Sequence, residues 1–222
     1  MALDSTPKIP LPNIDFRVAS FLQSASNLGN APSDTGSEVA FAGRSNAGKS
    51  SAINTLAAHT RLAFVSKTPG RTQLINFFRL RNGAVMVDLP GYGYAEVPEK
   101  IRKQWQRLLE IYLTERPNLV GLVLIMDSRR PLTPLDRQML DWFAPSGRPV
   151  HCLLTKSDKL TRSEAAKTLA ATRKQVAAEW GDQVSVQLFS SLKKTGMDEV
   201  EKTVGPWLES ALGGYPDAAP EA

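Results

Sequence analysis

The stretch GRSNAGKSS, residues 43–51, directly follows the apolar run EVAFA and precedes a helix-like segment, SSAINTLAA. It matches G-x-x-x-x-G-K-[ST] in full, with Gly43, Gly48, Lys49 and Ser50 at the fixed positions. Strand, glycine loop and helix in that order make the pattern a phosphate-binding loop rather than a Gly-rich turn. A turn with little side-chain bulk lets successive backbone N–H groups point at phosphate oxygens. The helix start adds unpaired N–H groups and the positive end of its dipole. Lys49 is then placed for the β- and γ-phosphates and the Ser50 hydroxyl for magnesium.

Beyond the loop, a regular alternation of patterns fixes the fold class. Strand-like runs (EVAFAG, QLINFFRL, AVMVDL, LVGLVLIMD, VHCLLT, VSVQLFS) alternate with helix-like ones (KSSAINTLA, EKIRKQWQRLLEIYLTE, PLDRQMLDWF, SEAAKTLAATRKQVAAEW, GMDEVEKTVGPWLESAL). Such alternation predicts an α/β fold, a mainly parallel six-stranded sheet with helices on both faces. Two consecutive strands joined by RNG read as a hairpin, so one edge strand is expected to be antiparallel. With 222 residues, 42% of them hydrophobic, the chain suffices for one substantial core. Residues 1–37, with Pro7, Pro10, Pro12 and the polar GNAPSDTGS, read as a loosely attached extension, and 213–222 as a flexible tail. The nucleotide-binding domain is expected over residues 38–212. The N-terminus has acids and prolines where a signal peptide needs an apolar stretch, and the longest apolar run is far short of a membrane span, so a cytoplasmic location is expected. Cys152, the single cysteine, sits in a strand pattern and reads as core, and His59 and His151 read as structural.

In this architecture ligands bind beyond the carboxyl ends of the strands, and the remaining motifs fall there. VMVDLPGYGYA puts Asp88 at a strand end, where a carboxylate can hold magnesium through water and the Gly91 N–H can approach a γ-phosphate. LLTKSD offers Asp158, which can accept from both N1–H and the N2 amino group of guanine, whereas adenine presents an acceptor at N1. Sites of this kind reject the wrong partner by about 10⁴-fold or more. LFSSLKKTG ends the last strand with Ser190 and Ser191, small enough for backbone to approach a base. In SKTPGRTQLINFF, Thr72 is the candidate second hydroxyl ligand for magnesium, with Pro69 and Gly70 supplying the bend.

Charge is unevenly placed. Between Glu38 and Asp88 no residue is acidic and seven are basic: Arg44, Lys49, Arg61, Lys67, Arg71, Arg79 and Arg81. The net charge of +5 therefore resides in that interval, more than a nucleotide needs, and suggests a second polyanion; a solvated basic face is the alternative. The segment EKIRKQWQRLLEIYL places Ile101, Trp105, Leu108, Leu109 and Tyr112 on one helical face, read as core, with Lys100, Arg102, Lys103 and Arg107 outside it.

Taken together, GRSNAGKSS, TPGRTQ, DLPGYGYA, TKSD and FSSLKKTG resemble the EngB (YihA/YsxC) group of bacterial GTPases, of the class that includes TrmE, Era and EngA. The resemblance runs from about Glu38 to Leu212. It implies a Ras-like P-loop GTPase fold and a role in assembly of the large ribosomal subunit, with a link to normal cell division and septation. Carried onto this chain, it implies GTP or GDP contacts from Gly43, Arg44, Ser45, Asn46, Ala47, Gly48, Lys49 and Ser50; from Gly70, Arg71, Thr72, Gln73 and Leu74; from Asp88, Leu89, Pro90 and Gly91; from Thr155, Lys156, Ser157 and Asp158; and from Phe189, Ser190 and Ser191. Magnesium ligands would be Ser50 and Thr72, and the catalytic set Lys49, Thr72 and Gly91. Partners would be the large subunit and its rRNA, with no membrane and no DNA. Asn46 resembles the position that in related GTPases helps hold a potassium ion beside the phosphates. Ala52 stands where the group more often has leucine, and is expected to face the core.

Many small GTPases place a glutamine immediately after the D-x-x-G glycine to orient the attacking water; this chain has Tyr92. Slow intrinsic hydrolysis is therefore expected, about 10⁻⁴ to 10⁻² per second. A P-loop kinase or ATPase is the first alternative, disfavoured by Asp158. A signalling GTPase acting on proteins alone is the second, disfavoured by the acid-free interval.

Overall fold

The computed structural model describes residues 14–33, 35–63, 74–93 and 99–210, with only the backbone at 82, 101, 102, 105 and 210. Seven strands form one sheet: β1 (Ser20–Ala25), β2 (Glu38–Gly43), β3 (Ile75–Arg79), β4 (Val85–Asp88), β5 (Leu119–Asp127), β6 (Val150–Thr155) and β7 (Val184–Leu188). Their spatial order is β1-β3-β4-β2-β5-β6-β7. The helices are α1 (Lys49–Leu56), α2 (Glu99–Glu115), α3 (Pro134–Phe143), α4 (Arg162–Trp180) and α5 (Met197–Ser210).

Alternation along the strands makes two cores. Val39 and Phe41 of β2 and Val123 and Ile125 of β5 face one side, where Ile53 and Leu56 of α1 and Val200, Val204 and Leu208 of α5 cover them. Ala40, Ala42, Leu122, Leu124 and Met126 face the other, under Leu109, Tyr112 and Leu113 of α2, Met139, Leu140 and Phe143 of α3, and Val176 of α4. The core face expected on α2 is thus formed by Leu109 and Tyr112, with Leu108 packed beside them; the side chains of Ile101, Arg102 and Trp105 lie outside the described ones. A strand buried on both faces reads as a continuous apolar run, which is why β5 matches its predicted bounds. Ala52 is buried in the α1 core, as expected. Helix α3 starts on Pro134 behind a Thr133–Asp136 capping box, and α4 starts on a Thr161–Glu164 box.

The expected six strands become seven, because residues of the supposed loose extension enter the sheet. β1 pairs antiparallel with β3, and Ile14 and Phe16 are buried against the α1–α5 core. The one antiparallel strand is β3, which runs against both β1 and β4; it is interior, and β1 is the edge. Ser20–Ala25 escaped notice because an edge strand buries little: it goes from exposed at Ser20 to buried only at Ala25, and Phe21 stays 60% exposed. The RNG turn does join the β3–β4 hairpin. The tail expected at 213–222 lies outside the described residues.

Candidate functional site: a phosphate loop and the strand ends beside it

β2 ends at Gly43 because only glycine fits there. A Cβ at Gly43 would lie 2.9 Å from both the Cβ and the carbonyl oxygen of Ile125 on the neighbouring strand. The chain then turns through Asn46 at φ +62° and Gly48 at φ +102° before α1. The left-handed conformation at Gly48 is one that a side chain strains. The first helical hydrogen bond runs from Ala52 N–H to Gly48 C=O, so the preceding amides of α1 have no acceptor within the helix and suit an anion.

Lys49 Nζ donates to Asp88 Oδ1, both side chains being largely buried. Asp88 arrives there because β4 lies parallel to β2 with Asp88 opposite Phe41. Leu89 and Pro90 are buried behind it. The next peptides lean on the phosphate loop: Ser45 N–H donates to Tyr92 C=O at 2.8 Å, and Tyr92 N–H to Gly43 C=O at 3.4 Å. Gly91 is thus fastened beside Lys49's loop.

The Tyr92 ring turns inward and is 8% exposed. Its hydroxyl donates to Asp136 Oδ1 at 3.1 Å, while Asp136 Oδ2 accepts from Thr133 N–H at 2.9 Å and Thr133 Oγ1 at 2.7 Å. Burial pushes the Tyr92 phenol well up and the Asp136 carboxyl up as well. The phenol that replaces the water-holding glutamine is therefore tied to α3.

At the edge formed by residues 155–158 and 189–191, Thr155 Oγ1 reaches Ala47 C=O at 2.5 Å and Met126 C=O at 3.0 Å. Lys156, at φ +57°, extends Nζ to Asn46 C=O at 2.6 Å and to Asp127 Oδ2 at 3.0 Å. The Arg129 guanidinium grips Asp127 with two further bonds, which hold this carboxyl well below its usual range. Asp158 Oδ1 accepts from Ser190 Oγ at 2.6 Å. Ser157 N–H and Oγ donate to Phe189 C=O at 3.2 and 3.0 Å, and Ser191 comes next, half-buried. The segments 155–158 and 189–191, far apart in sequence, form one edge.

The structure thus gathers Gly43–Ser50, Asp88–Gly91, Thr155–Asp158 and Phe189–Ser191 at the carboxyl ends of β2, β4, β6 and β7. Leu74 is half-buried just before β3. Gly70, Arg71, Thr72 and Gln73, with Lys67 and Pro69, lie outside the described residues. Two residues escaped the sequence reading: Asp127, which holds Lys156, and Asp136, which holds Tyr92. Both occur in MDSRRPLTPLD, Asp127 as the last residue of β5 and Asp136 in the first turn of α3, and that place at a strand's carboxyl end was their only signal.

His151 is buried between Ser185 Oγ and Gln187 Oε1, each at 2.7 Å, in a structural role. Cys152 is buried and its thiol is pushed up by burial. Among the described residues no helix is long and apolar enough to cross a membrane, and no group of three or more His, Cys, Asp or Glu could hold a metal.

The family described as 50S ribosome-binding GTPase matches residues 38–156. A probable GTP-binding protein EngB of Aromatoleum aromaticum is 73% identical over 193 residues, covering 87% of this chain and 89% of the relative. Its counterpart in Neisseria meningitidis serogroup B is 59% identical, covering 88% and 94%. Among solved structures, a probable GTP-binding protein EngB has a TM-score of 0.61 at 19% identity, covering 78% of this chain and all of that one. Era in complex with MgGDPNP and a 16S ribosomal RNA segment has a TM-score of 0.60 at 20% identity, covering 85% and 59%. At these identities the structures speak to the fold, which is that of the Ras-like P-loop GTPases. The sequence relatives speak to descent, and by them this chain belongs to the EngB family of GTP-binding proteins.

Proposed function

We propose that the chain is a GTP-driven switch in assembly of the large ribosomal subunit, acting in the cytoplasm and needed for normal septation. One observation supports this most: Lys49, Asp88 and Gly91, suited to phosphates, share one edge of the sheet with Asp158 and Ser190, suited to guanine, in a chain whose basic excess falls in the sequence between Glu38 and Asp88. Residues 38–212 are proposed to carry the nucleotide chemistry, with membrane and DNA outside its partners.

The donor set fits magnesium. The Ser50 hydroxyl in the first turn of α1 and the buried Asp88 carboxylate are hard oxygen groups of the type this ion takes. Ser50 and Thr72 would hold it directly, Asp88 through water, and the bound ion would neutralise charge on the β- and γ-phosphates. Lys49 leaves Asp88 for the phosphates, and the α1 and loop amides add fixed positive ends. Gly91 N–H would donate to the γ-phosphate, with Thr72 as the second hydroxyl ligand that the family resemblance implies. Asp158 selects guanine. Asn46, exposed on the loop, would hold potassium, so hydrolysis should run faster in potassium than in sodium at equal ionic strength. With Tyr92 turned to Asp136, unassisted turnover is slow and the output is a change of shape.

Co-sedimentation with purified large subunits tests the reading. The form bound to non-hydrolysable GTP should pellet with the subunit more strongly than the GDP form. Pelleting of neither form would favour a GTPase acting on protein partners alone, and equal pelleting of both would keep the subunit as partner but overturn the GTP-driven switch.

A further inference from the structure

Thr155 and Lys156, the last residue of β6 and the one after it, bond to two consecutive carbonyls of the phosphate loop, those of Ala47 and Asn46. The Lys156 bond is exposed, but Thr155 is enclosed, with 2% of its surface accessible. Its hydroxyl has two carbonyl acceptors, Ala47 at 2.5 Å and Met126 at 3.0 Å. A threonine hydroxyl has a single proton to give, so none is left for the acceptor atoms of a base. The side chain also lies against the loop itself. A Cβ added at Gly48 would stand 3.3 Å from Thr155 Oγ1 and 3.5 Å from Thr155 Cβ.

A bond to the Ala47 carbonyl fixes more than an oxygen. The Ala47–Gly48 peptide is trans, and in a planar trans peptide the C=O and the next N–H point in opposite directions. Turning Ala47 C=O toward Thr155 therefore turns Gly48 N–H away from it. That amide has no acceptor among the described residues, whereas Ser45 N–H is engaged by Tyr92 C=O and Ala47 N–H by Arg44 C=O. Loop amides without a partner in the fold are the ones a phosphate can use.

We infer that Thr155 is a positioning residue for phosphate, acting through the Ala47–Gly48 peptide, and that it does not contact the guanine base. This deepens the proposed nucleotide site and rests on it. Two near neighbours in TKSD then serve opposite ends of one ligand: Thr155 aims an amide at phosphate and Asp158 reads the base. The role needs the hydroxyl. A valine fills nearly the same space but leaves the Ala47 carbonyl without its donor. Gly48, at φ +102° and with no side chain to restrain it, then has less to hold its amide in place.

The test uses the full chain and competition against a fluorescent GDP analogue, with a melting curve on each preparation to confirm the fold. Thr155→Val should weaken GDP binding about three- to tenfold, the effect of one hydrogen bond. GMP binding should stay within about twofold, because the loop backbone serves the phosphates that GMP lacks. For 7-deaza-GDP, which has no N7 acceptor, the loss should match that of GDP. Thr155→Ser keeps the hydroxyl and should recover GDP affinity to within about twofold. Thr155→Ala is the second hydroxyl-free variant, read in the same way if the valine variant does not fold. Loss of GDP and GMP by one common factor marks a base contact and overturns the role. So does 7-deaza-GDP binding that the substitution leaves untouched while GDP binding falls, which marks a contact to N7. Unchanged GDP affinity in a folded hydroxyl-free variant overturns it as well. If the unmodified chain binds neither GDP nor GMP, the nucleotide site falls and takes this role with it.

Discussion

Glu38 at the amino end of the sheet and the pair Asp88 and Asp158 at its carboxyl end are treated in opposite ways. At the amino end of β2, Glu38 is saturated: Arg116 donates to both oxygens at 2.5 and 2.9 Å, Tyr112 OH at 2.9 Å and Thr35 Oγ1 at 2.6 Å. Arg116 is saturated in turn by Pro32 C=O, Thr35 Oγ1 and the face of Phe77. At the carboxyl end, among the described residues, Asp88 accepts one side-chain bond from Lys49, and Asp158 accepts one from Ser190 while Lys159 Nζ stands 4.0 Å from its other oxygen. A buried carboxylate is costly unless its lone pairs are used. The closed end uses them within the fold, which cements the chain before β2 to the end of α2. The open end keeps acceptor capacity in reserve, and reserve capacity is what a ligand can take up.

The contrast predicts its largest effect at Asp158. Asp158→Asn exchanges one acceptor for a donor, which opposes guanine N1–H and suits the carbonyl of xanthine. GDP binding should weaken by about 10⁴-fold and xanthosine diphosphate binding should appear, with the urea midpoint almost unmoved. Titration calorimetry with both nucleotides decides it. Unchanged GDP affinity would remove Asp158 from base reading.

At the closed end the expected result reverses. Arg116→Ala strands the Glu38 charge and should cost about 3–5 kcal/mol of stability, with GDP affinity of the folded protein unchanged within about twofold. Chemical denaturation and nucleotide titration on one preparation read both quantities. A large loss of affinity at preserved stability would mean that the two ends are not separable in this way.

The sequence reveals these two ends unequally, and the reason is physical. The open end is legible because its chemistry demands fixed residues at fixed places: Gly43 against Ile125, the left-handed Gly48, Lys49, and carboxylates at strand ends. β5 and α2 are legible because long runs average out local noise. Glu38 and Arg116 are 78 positions apart and belong to no motif, so nothing local announces their pairing. β1 is illegible for the same reason that it is an edge: one neighbour and one partly covered face leave a weak alternation. Asp127 and Asp136 act through a second residue, Lys156 and Tyr92, and a group that positions another has no spacing rule of its own.

Tyr92 sharpens the comparison at smaller amplitude, since it is a saturated contact planted in the open end. Tyr92→Phe removes one hydrogen bond to Asp136 and leaves the two from Thr133. Stability should fall by about 1–2 kcal/mol. Single-turnover GTP hydrolysis should stay within about twofold, because the hydroxyl points to α3. A loss of about a hundredfold in rate would show instead that the phenol serves as general acid–base or water holder.

The smallest expected effect concerns pH, and here the two carboxyls flanking the β5–α3 connection move in opposite senses. Asp136 is raised by burial, so the folded state holds its proton more tightly than the unfolded chain does. Its contribution is complete below the ordinary value of 3.8 and is lost as pH rises through the folded value. Asp127 is lowered, foremost by the Arg129 hydrogen bond. Its contribution is present above the ordinary value of 3.8 and is lost as pH falls from there toward the depressed folded value. Acid therefore loosens the contact that steadies Lys156 against Asn46, while it leaves the Tyr92 anchor's carboxyl favoured in the folded state. Because Arg129 is half exposed, solvent screens the pair and the amount is small. Urea midpoints of the unmodified chain and of Asp127→Asn, tracked from neutral pH downward, should differ at neutral pH and converge below about pH 4. Parallel curves through that range would show that Lys156 is held by the Asn46 carbonyl alone and that Asp127 contributes nothing to the open end.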